Sequence, residues 1–210
     1  IDYGAGNLHS VHNALRKAGA DDVTITADAD VVARADRIVL PGVGAFRACR
    51  DALVAIPGMV DAMNEAVNQR GVPFLGVCVG MQLLASRGLE FGEHEGLGWI
   101  AGDVRKINTG DEILKIPHMG WNGLQLPQGD IHPVLQSVTK KSDGALPDFY
   151  FVHSFVFDCK DTKHVAAFCD YGENFAAIVA KDNMIGCQFH PEKSQQAGLD
   201  LIRGFIRWKP

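Results

Sequence analysis

In the run Val72-Pro-Phe-Leu-Gly-Val-Cys-Val-Gly-Met-Gln-Leu-Leu-Ala85, Cys78 stands between glycines two residues away on each side. Free cysteines are mostly small, buried, apolar residues, so Cys78 reads as a nucleophile only if its setting activates it. Pro73 to Val77 reads as a buried strand, and a helix follows the cysteine through Leu83 and Leu84. A Gly-x-nucleophile-x-Gly turn between the two is sharp, lets neighbouring backbone pass close and thrusts the side chain outward. The N-terminus of the helix behind it favours the thiolate, the reacting species. A purely structural glycine-rich turn has the same spacing, so Cys78 alone does not decide.

A nucleophilic thiol needs a base, and the base needs an orienting group. Of the eight histidines, His190 ends the apolar run Met184-Ile-Gly-Cys-Gln-Phe189 and is followed by Pro191 and Glu192. Proline fixes the middle residue, so positions 190 and 192 can project to one side. Glu192 would then hold one ring nitrogen while the other faces the thiol, a Cys-His-acid triad. A strand running into a solvated turn is the alternative, and each motif strengthens the other. Leu40-Pro-Gly-Val-Gly-Ala-Phe46 follows another strand end. Gly42, Val43 and Gly44 can turn backbone N–H groups inward as an oxyanion hole requires, with Val79 as the second donor. An ordinary Pro-Gly turn is the competing reading.

The elements that must position these groups alternate in the first half. Asn7 to Ala18 spaces Leu8, Val11, Leu15 and Ala18 as a helix closed by Gly19. Val23–Thr26 is β-rich, and Arg37–Leu40 is a buried-type strand stopped by Pro41-Gly42. Met59–Gln69 is an amphipathic helix. Ile1-Asp2-Tyr3 reads as the tail of a strand whose earlier residues precede this numbering. In the second half, Ile113–Ile116, Phe149–Phe157, Val165–Phe168, Phe175–Ala180 and Met184–Phe189 read as strands joined by short polar turns, before a last helix from Gln195 to Trp208. The expected fold is α/β: a mixed, mostly parallel central sheet with helices on both faces and antiparallel additions in the second half, in one domain over residues 1–210.

The 210 residues are 47% hydrophobic and 21% charged, enough to bury a sizeable core. A net charge of −5 with scattered basic residues argues against nucleic acid or an anionic membrane surface as the main partner. No apolar run approaches the roughly 20 residues that span a bilayer, and no signal-peptide pattern is visible. Five cysteines without a CxxC pair fit free thiols in a reducing cytoplasm. His9 and His12 have ligand-like spacing but read as a solvated helix face, so no metal is expected. Gly4-x-Gly6 lacks the third glycine of a dinucleotide fingerprint, so no cofactor is expected.

The stretches IDYGAGNLHSV (1–11), LPGVGAF (40–46), GVCVGMQLL (76–84), PHMGWN (117–122), YFVHSF (150–155) and GCQFHPEKS (186–194) together resemble the class I, triad-type glutamine amidotransferases (flavodoxin-like in fold). Within that family they are most similar to the glutaminase subunits of imidazole glycerol phosphate synthase, from histidine biosynthesis. GxCxG and HPE mark the wider family; DYGAGN, PGVGAF, HMGWN and HPEKS are more specific. The resemblance implies that Cys78 attacks the carboxamide of glutamine, with His190 as acid and base and Glu192 orienting it. It implies glutamine binding by Gln82, His153, Ser154 and Phe155, partly through backbone. It further implies a heterodimer with a cyclase, a (β/α)8 barrel that receives the ammonia, with Asn7, Trp121 and Lys193 at the interface. Two alternatives stay open: a glutaminase feeding another synthase, and a regulatory subunit with a silent triad.

Overall fold

The computed structural model describes residues 1–110 and 114–210. Its first helix, α1 (Leu8–Ala18), is capped by Asn7, whose Oδ1 accepts from Ser10 N at 3.4 Å, and ends at Gly19 in the left-handed conformation. Next come α2 (Ala29–Ala33), β1 (Ile38–Gly42), α3 (Phe46–Val54) and α4 (Met59–Asn64), which runs on as a π-type segment, Glu65–Gln69. β2 (Phe74–Cys78) leads directly into α5 (Val79–Gln82). The short strands β3 (Arg87–Gly88), β4 (His94–Glu95) and β5 (Gly102–Lys106) follow, then β6 (His118–Asn122) and α6 (Pro133–Gln136). The chain closes with β7 (Phe149–His153), β8 (Phe155–Cys159), β9 (Val165–Asp170), β10 (Asn174–Lys181), β11 (Met184–Cys187) and α7 (Gln195–Arg207).

The central sheet has the order β1-β2-β11-β10-β9. β1, β2 and β11 are parallel, and only β10 runs against the others. β2 is buried along its whole length, which explains its continuous apolar run: both faces of a parallel strand are covered. Side chains alternate along β1. Val39 meets the small cluster of Val11, Leu15 and Ile202 that joins α1 to α7, whereas Ile38 and Leu40 belong to the main core with Leu53, Met59 and Met63. Gly42 is opposite Cys78 and Val77 is opposite Cys187. The carboxyl ends of three neighbouring strands therefore open onto one rim, where ligands bind in open α/β sheets.

The antiparallel additions form a four-stranded sheet, β4-β3-β5-β8, and a hairpin, β6-β7. Phe149–Phe157, expected as one strand, divides at Ser154: β7 pairs with β6 and β8 pairs with β5. Of the expected strand Ile113–Ile116, Ile113 lies outside the described residues, and Leu114–Ile116 carries no strand; pairing begins at His118. Val23–Thr26 is not a strand either. Asp2 N donates to Thr26 O (2.7 Å) and the Ile1 ammonium to Val39 O (2.8 Å), each a single sheet-like bond. Beyond them a groove of about 600 Å³, lined by Val23, Ile25, Arg37 and Ile38, separates the two runs. Among the described residues Val23–Thr26 thus pairs with no strand beyond that single bond. This groove is larger than the cleft at Cys78 and lacks its chemistry.

The rim depends on close backbone approach. A Cβ on Gly80 would lie 1.8 Å from Leu40 O, and one on Gly76 would lie 2.6 Å from Gly80 O. Gly80→Ala should therefore cost about 2 kcal/mol or more in denaturant unfolding, since overpacked backbone must move. A variant as stable as the parent would contradict this packing.

Candidate active site

Cys78 has φ 54° and ψ −111°, a strained conformation for a residue with a side chain. It is 4% exposed and is the last residue of the parallel strand β2, immediately before the first turn of α5. That helix is four residues long, shorter than the expected one, and continues only as turns through Leu84. The amides of its first turn, beginning at Val79, have no intrahelical acceptors.

His190 arrives at the same rim from the end of β11. Its Nδ1 is 2.8 Å from Glu192 Oε1, and both side chains are 2% exposed. Pro191–Lys193 forms a single 3-10 turn, which brings residues 190 and 192 to one side. Ser194 secures the turn: its hydroxyl donates to His190 O (2.7 Å) and accepts from Tyr150 N (3.0 Å), while His190 N donates to Tyr150 O (2.9 Å). A Cβ on Gly198 would lie 1.8 Å from Pro191 O, so α7 packs directly on it. His190 Nε2 is buried without a hydrogen-bond partner among the described residues. Burial disfavours the imidazolium, but the Cys78 sulfur and the Glu192 carboxylate outweigh it and raise the pKa to about 9. The His190 ring is therefore protonated at neutral pH, paired with Glu192 and close to the Cys78 sulfur.

The loop after β1 completes this end of the cleft. Val43 and Gly44 line it, and Gly44 has φ +111°. The Cys49 thiol donates to Val43 O (3.4 Å), so the Gly44 N–H points the opposite way across its trans peptide. Tyr3 supports the loop from below: its hydroxyl donates to Pro41 O (2.6 Å), and a Cβ on Gly42 would meet it at 2.6 Å. Burial, with Cys49 and Cys78 nearby, holds that phenol far above its ordinary range. The cleft encloses about 270 Å³, below the roughly 300–1,000 Å³ of drug-sized sites. It suits a small polar molecule. Among the described residues no three His, Cys, Asp or Glu side chains converge to hold a metal ion.

The family model described as glutamine amidotransferase class-I matches residues 1–207. The chain belongs to that family. It is 50% identical to the imidazole glycerol phosphate synthase subunit HisH of Brucella suis biovar 1 (strain 1330), over all of this chain and 98% of that one. It is equally identical to the HisH subunit of Caulobacter vibrioides, over all of this chain and 97% of that one. Among solved structures it is similar to a glutamine amidotransferase (TM-score 0.68, 18% identity, 96% and 93% of the two chains). It is also similar to PurLQS from Thermotoga maritima (TM-score 0.65, 19% identity, 98% and 94%). These two share the fold.

The other residues expected at the site divide into groups. Gln82, His153, Ser154 and Phe155 all line the cleft. Both hydrogens of the Gln82 amide are used, by Phe155 O (3.1 Å) and Gln188 Oε1 (3.0 Å), which leaves its oxygen for a ligand. His153 has no side-chain nitrogen to spare. A carbonyl only accepts, so Nδ1 donates to Phe155 O (2.9 Å) and Nε2 accepts from His118 Nδ1 (3.0 Å). Burial holds both rings neutral, His118 at about 4 and His153 at about 3. Any contribution of His153 to a ligand is therefore through backbone or shape. The sequence reading missed Glu90, Tyr3 and Gln188. Glu90 lines the cleft and accepts from Phe46 N (2.9 Å). Farther out, Trp121 is 49% exposed, with its ring edge-on to Tyr150 (5.9 Å), and Lys193 Nζ lies 5.9 Å from the centre of the same ring. Asn7 caps α1, which packs beside the 191–193 turn.

The raised pKa of His190 gives the pair a defined pH window. Its contribution to stability is complete below the ordinary histidine value of 6.5 and is lost as pH rises through about 9. Glu192→Gln should therefore destabilise the protein more at pH 6 than at pH 9.5, as read by thermal unfolding at each pH. An equal or reversed difference would contradict the charged pair.

Proposed function

We propose that this class-I amidotransferase is the glutaminase subunit of an imidazole glycerol phosphate synthase. It hydrolyses glutamine and passes the ammonia to a cyclase subunit, a (β/α)8 barrel, in a heterodimer. The observation that carries the chemistry is Cys78 on its strained turn lining the same cleft as His190, which is paired with the buried Glu192 carboxylate. The identity of 50% over the full chain to subunits of that synthase carries the assignment within the family. We also read residues 1–210 as one glutamine amidotransferase domain.

In this reading the Cys78 sulfur attacks the carboxamide carbon and the carbonyl electron pair moves to oxygen, stabilised by the N–H groups of Val79 and the Gly42-Val43-Gly44 loop. The intermediate collapses as His190 Nε2 protonates the departing nitrogen, releasing ammonia and leaving a glutamyl thioester. His190 then deprotonates water, which adds to the thioester; the C–S bond breaks and the pair returns to sulfur. Glu192 keeps the ring oriented and charged when required. Gln82 Oε1 accepts from the substrate amide, and the 153–155 edge holds the α-carboxylate through backbone. Glu90 is the carboxylate available in the cleft to meet the α-ammonium group. Among the described helices none is long and apolar enough to cross a membrane. With five free cysteines, the setting that fits best is the cytoplasm.

The docking face follows from exposed apolar groups beside the cleft. Met119 (62% exposed) and Trp121 project from β6, while Val43 (44%) stands on the oxyanion loop. Large apolar side chains exposed around a cleft favour an interaction site. Trp121 and Lys193 flank Tyr150, whose backbone holds His190, so a partner seated there touches the triad's support. Asn7 extends this face at the first turn of α1.

Two tests separate chemistry from docking. Cys78→Ala should abolish glutamine-dependent synthesis while the complex still works with ammonium salts; retained glutaminase activity would end the triad assignment. Trp121→Ala and Lys193→Ala should weaken binding or stimulation by the cyclase, the tryptophan by about 2 kcal/mol or more, with unfolding unchanged. Normal binding and full stimulation in both variants would place the interface elsewhere.

A further inference from the structure

Gln188 is fully buried between Cys187 and Phe189, in a part of the chain that otherwise supplies apolar core. A buried amide must find partners, and those of Gln188 are unusual. Its Oε1 accepts from Gln82 Nε2 at 3.0 Å, and its Nε2 lies 3.7 Å from Cys78 Sγ. The direction of this chain is fixed by its far end. Phe155 O can only accept, so the Gln82 amide must present its NH2 group there, and the second hydrogen of that group goes to Gln188 Oε1. The NH2 of Gln188 is thereby turned toward sulfur. His153 reinforces the arrangement by donating to the same Phe155 carbonyl.

We propose that Gln188 is a catalytic residue that donates an N–H to the Cys78 sulfur whenever the sulfur carries charge, and that Gln82 is the positioning residue that aims it. The inference rests on Cys78 being the nucleophile of the proposed reaction. Sulfur is anionic before attack and again as the C–S bond of the second tetrahedral intermediate breaks. In between, in the thioester, it is neutral. A fixed donor favours the anionic stages and so assists release of glutamate, while His190 is occupied with protons on nitrogen and water. Because Gln82 also lines the cleft, its two roles meet: the side chain that offers an oxygen to substrate also orients the donor to the nucleophile. The titratable groups around the sulfur are His190, Tyr3, Cys49 and Cys187, with Glu90 across the cleft; none of them is altered by changing Gln188.

The test is the pH dependence of Cys78 alkylation by iodoacetamide in the full chain, followed on the Cys78 peptide by mass spectrometry so that the other four cysteines do not contribute. Gln188→Met removes the donor at similar size. It should raise the midpoint by about one pH unit, the roughly tenfold effect at the low end for a hydrogen bond to a charged group. Gln188→Glu keeps an acceptor for Gln82 but sets an anion against the sulfur, and should raise the midpoint further. Midpoints unchanged in both variants would overturn the proposal. Should either variant fail to fold, the side-chain amide resonance of Gln188 in the unaltered protein gives the same answer. It should shift with the midpoint of Cys78 ionisation, and a resonance indifferent to that ionisation would overturn the proposal equally. Neither readout needs turnover, so failure here is distinct from glutaminase activity surviving in Cys78→Ala, which would instead remove the nucleophile.

Discussion

At Gly80 the first turn of α5 passes so close to the carbonyl of Leu40 that no side chain fits between them, and at Gly76 the same turn folds back over β2. This contact of backbone on backbone holds Cys78 in its strained conformation, because the chain must turn immediately after the strand to fit there. It also ties the turn to β1, whose next residues form the loop proposed as the oxyanion hole. The Gly42–Cys78 register then sets the distance between Cys78 and that loop through backbone pairing. Strain at Cys78 persists because the sheet, α5 and the Tyr3 hydroxyl beneath the loop together over-determine the position.

The electrostatic half of the site rests on a different device. A histidine and a glutamate, both nearly inaccessible to water, are costly to bury apart, and each makes the other's charge tolerable. Their geometry comes from a single proline turn fastened by Ser194 to β7 and covered by α7 at Gly198. The same β7 carries Tyr150, which Trp121 and Lys193 flank at the surface. Tyr150 therefore links the backbone that holds His190 to the face proposed to dock the cyclase.

Much of this was legible in the sequence because the deciding features are local. Gly-x-Cys-x-Gly at a strand end, His-Pro-Glu after another and Pro-Gly-Val-Gly after a third each announce a rim position, and parallel neighbours bring them together. What escaped has a common physical cause. Tyr3, Glu90 and Gln188 act through partners distant in sequence, and no spacing rule encodes such contacts. Gln188 did leave one signal, a polar side chain inside an otherwise apolar buried run. β3 and β4 span two residues each, too short for any period to show. The break at Ser154 was hidden because both halves of Phe149–Phe157 are apolar and β-prone, and only their different partners separate them.

Turnover by the proposed mechanism requires that Cys78, and no other of the five cysteines, carries the acyl group. The direct measurement is acid quench of the complex with its cyclase while it is hydrolysing glutamine, followed by peptide mass analysis. A glutamyl adduct should appear on the Cys78 peptide before glutamate accumulates and be absent in Cys78→Ala. Steady glutaminase turnover with the adduct on another residue would contradict it.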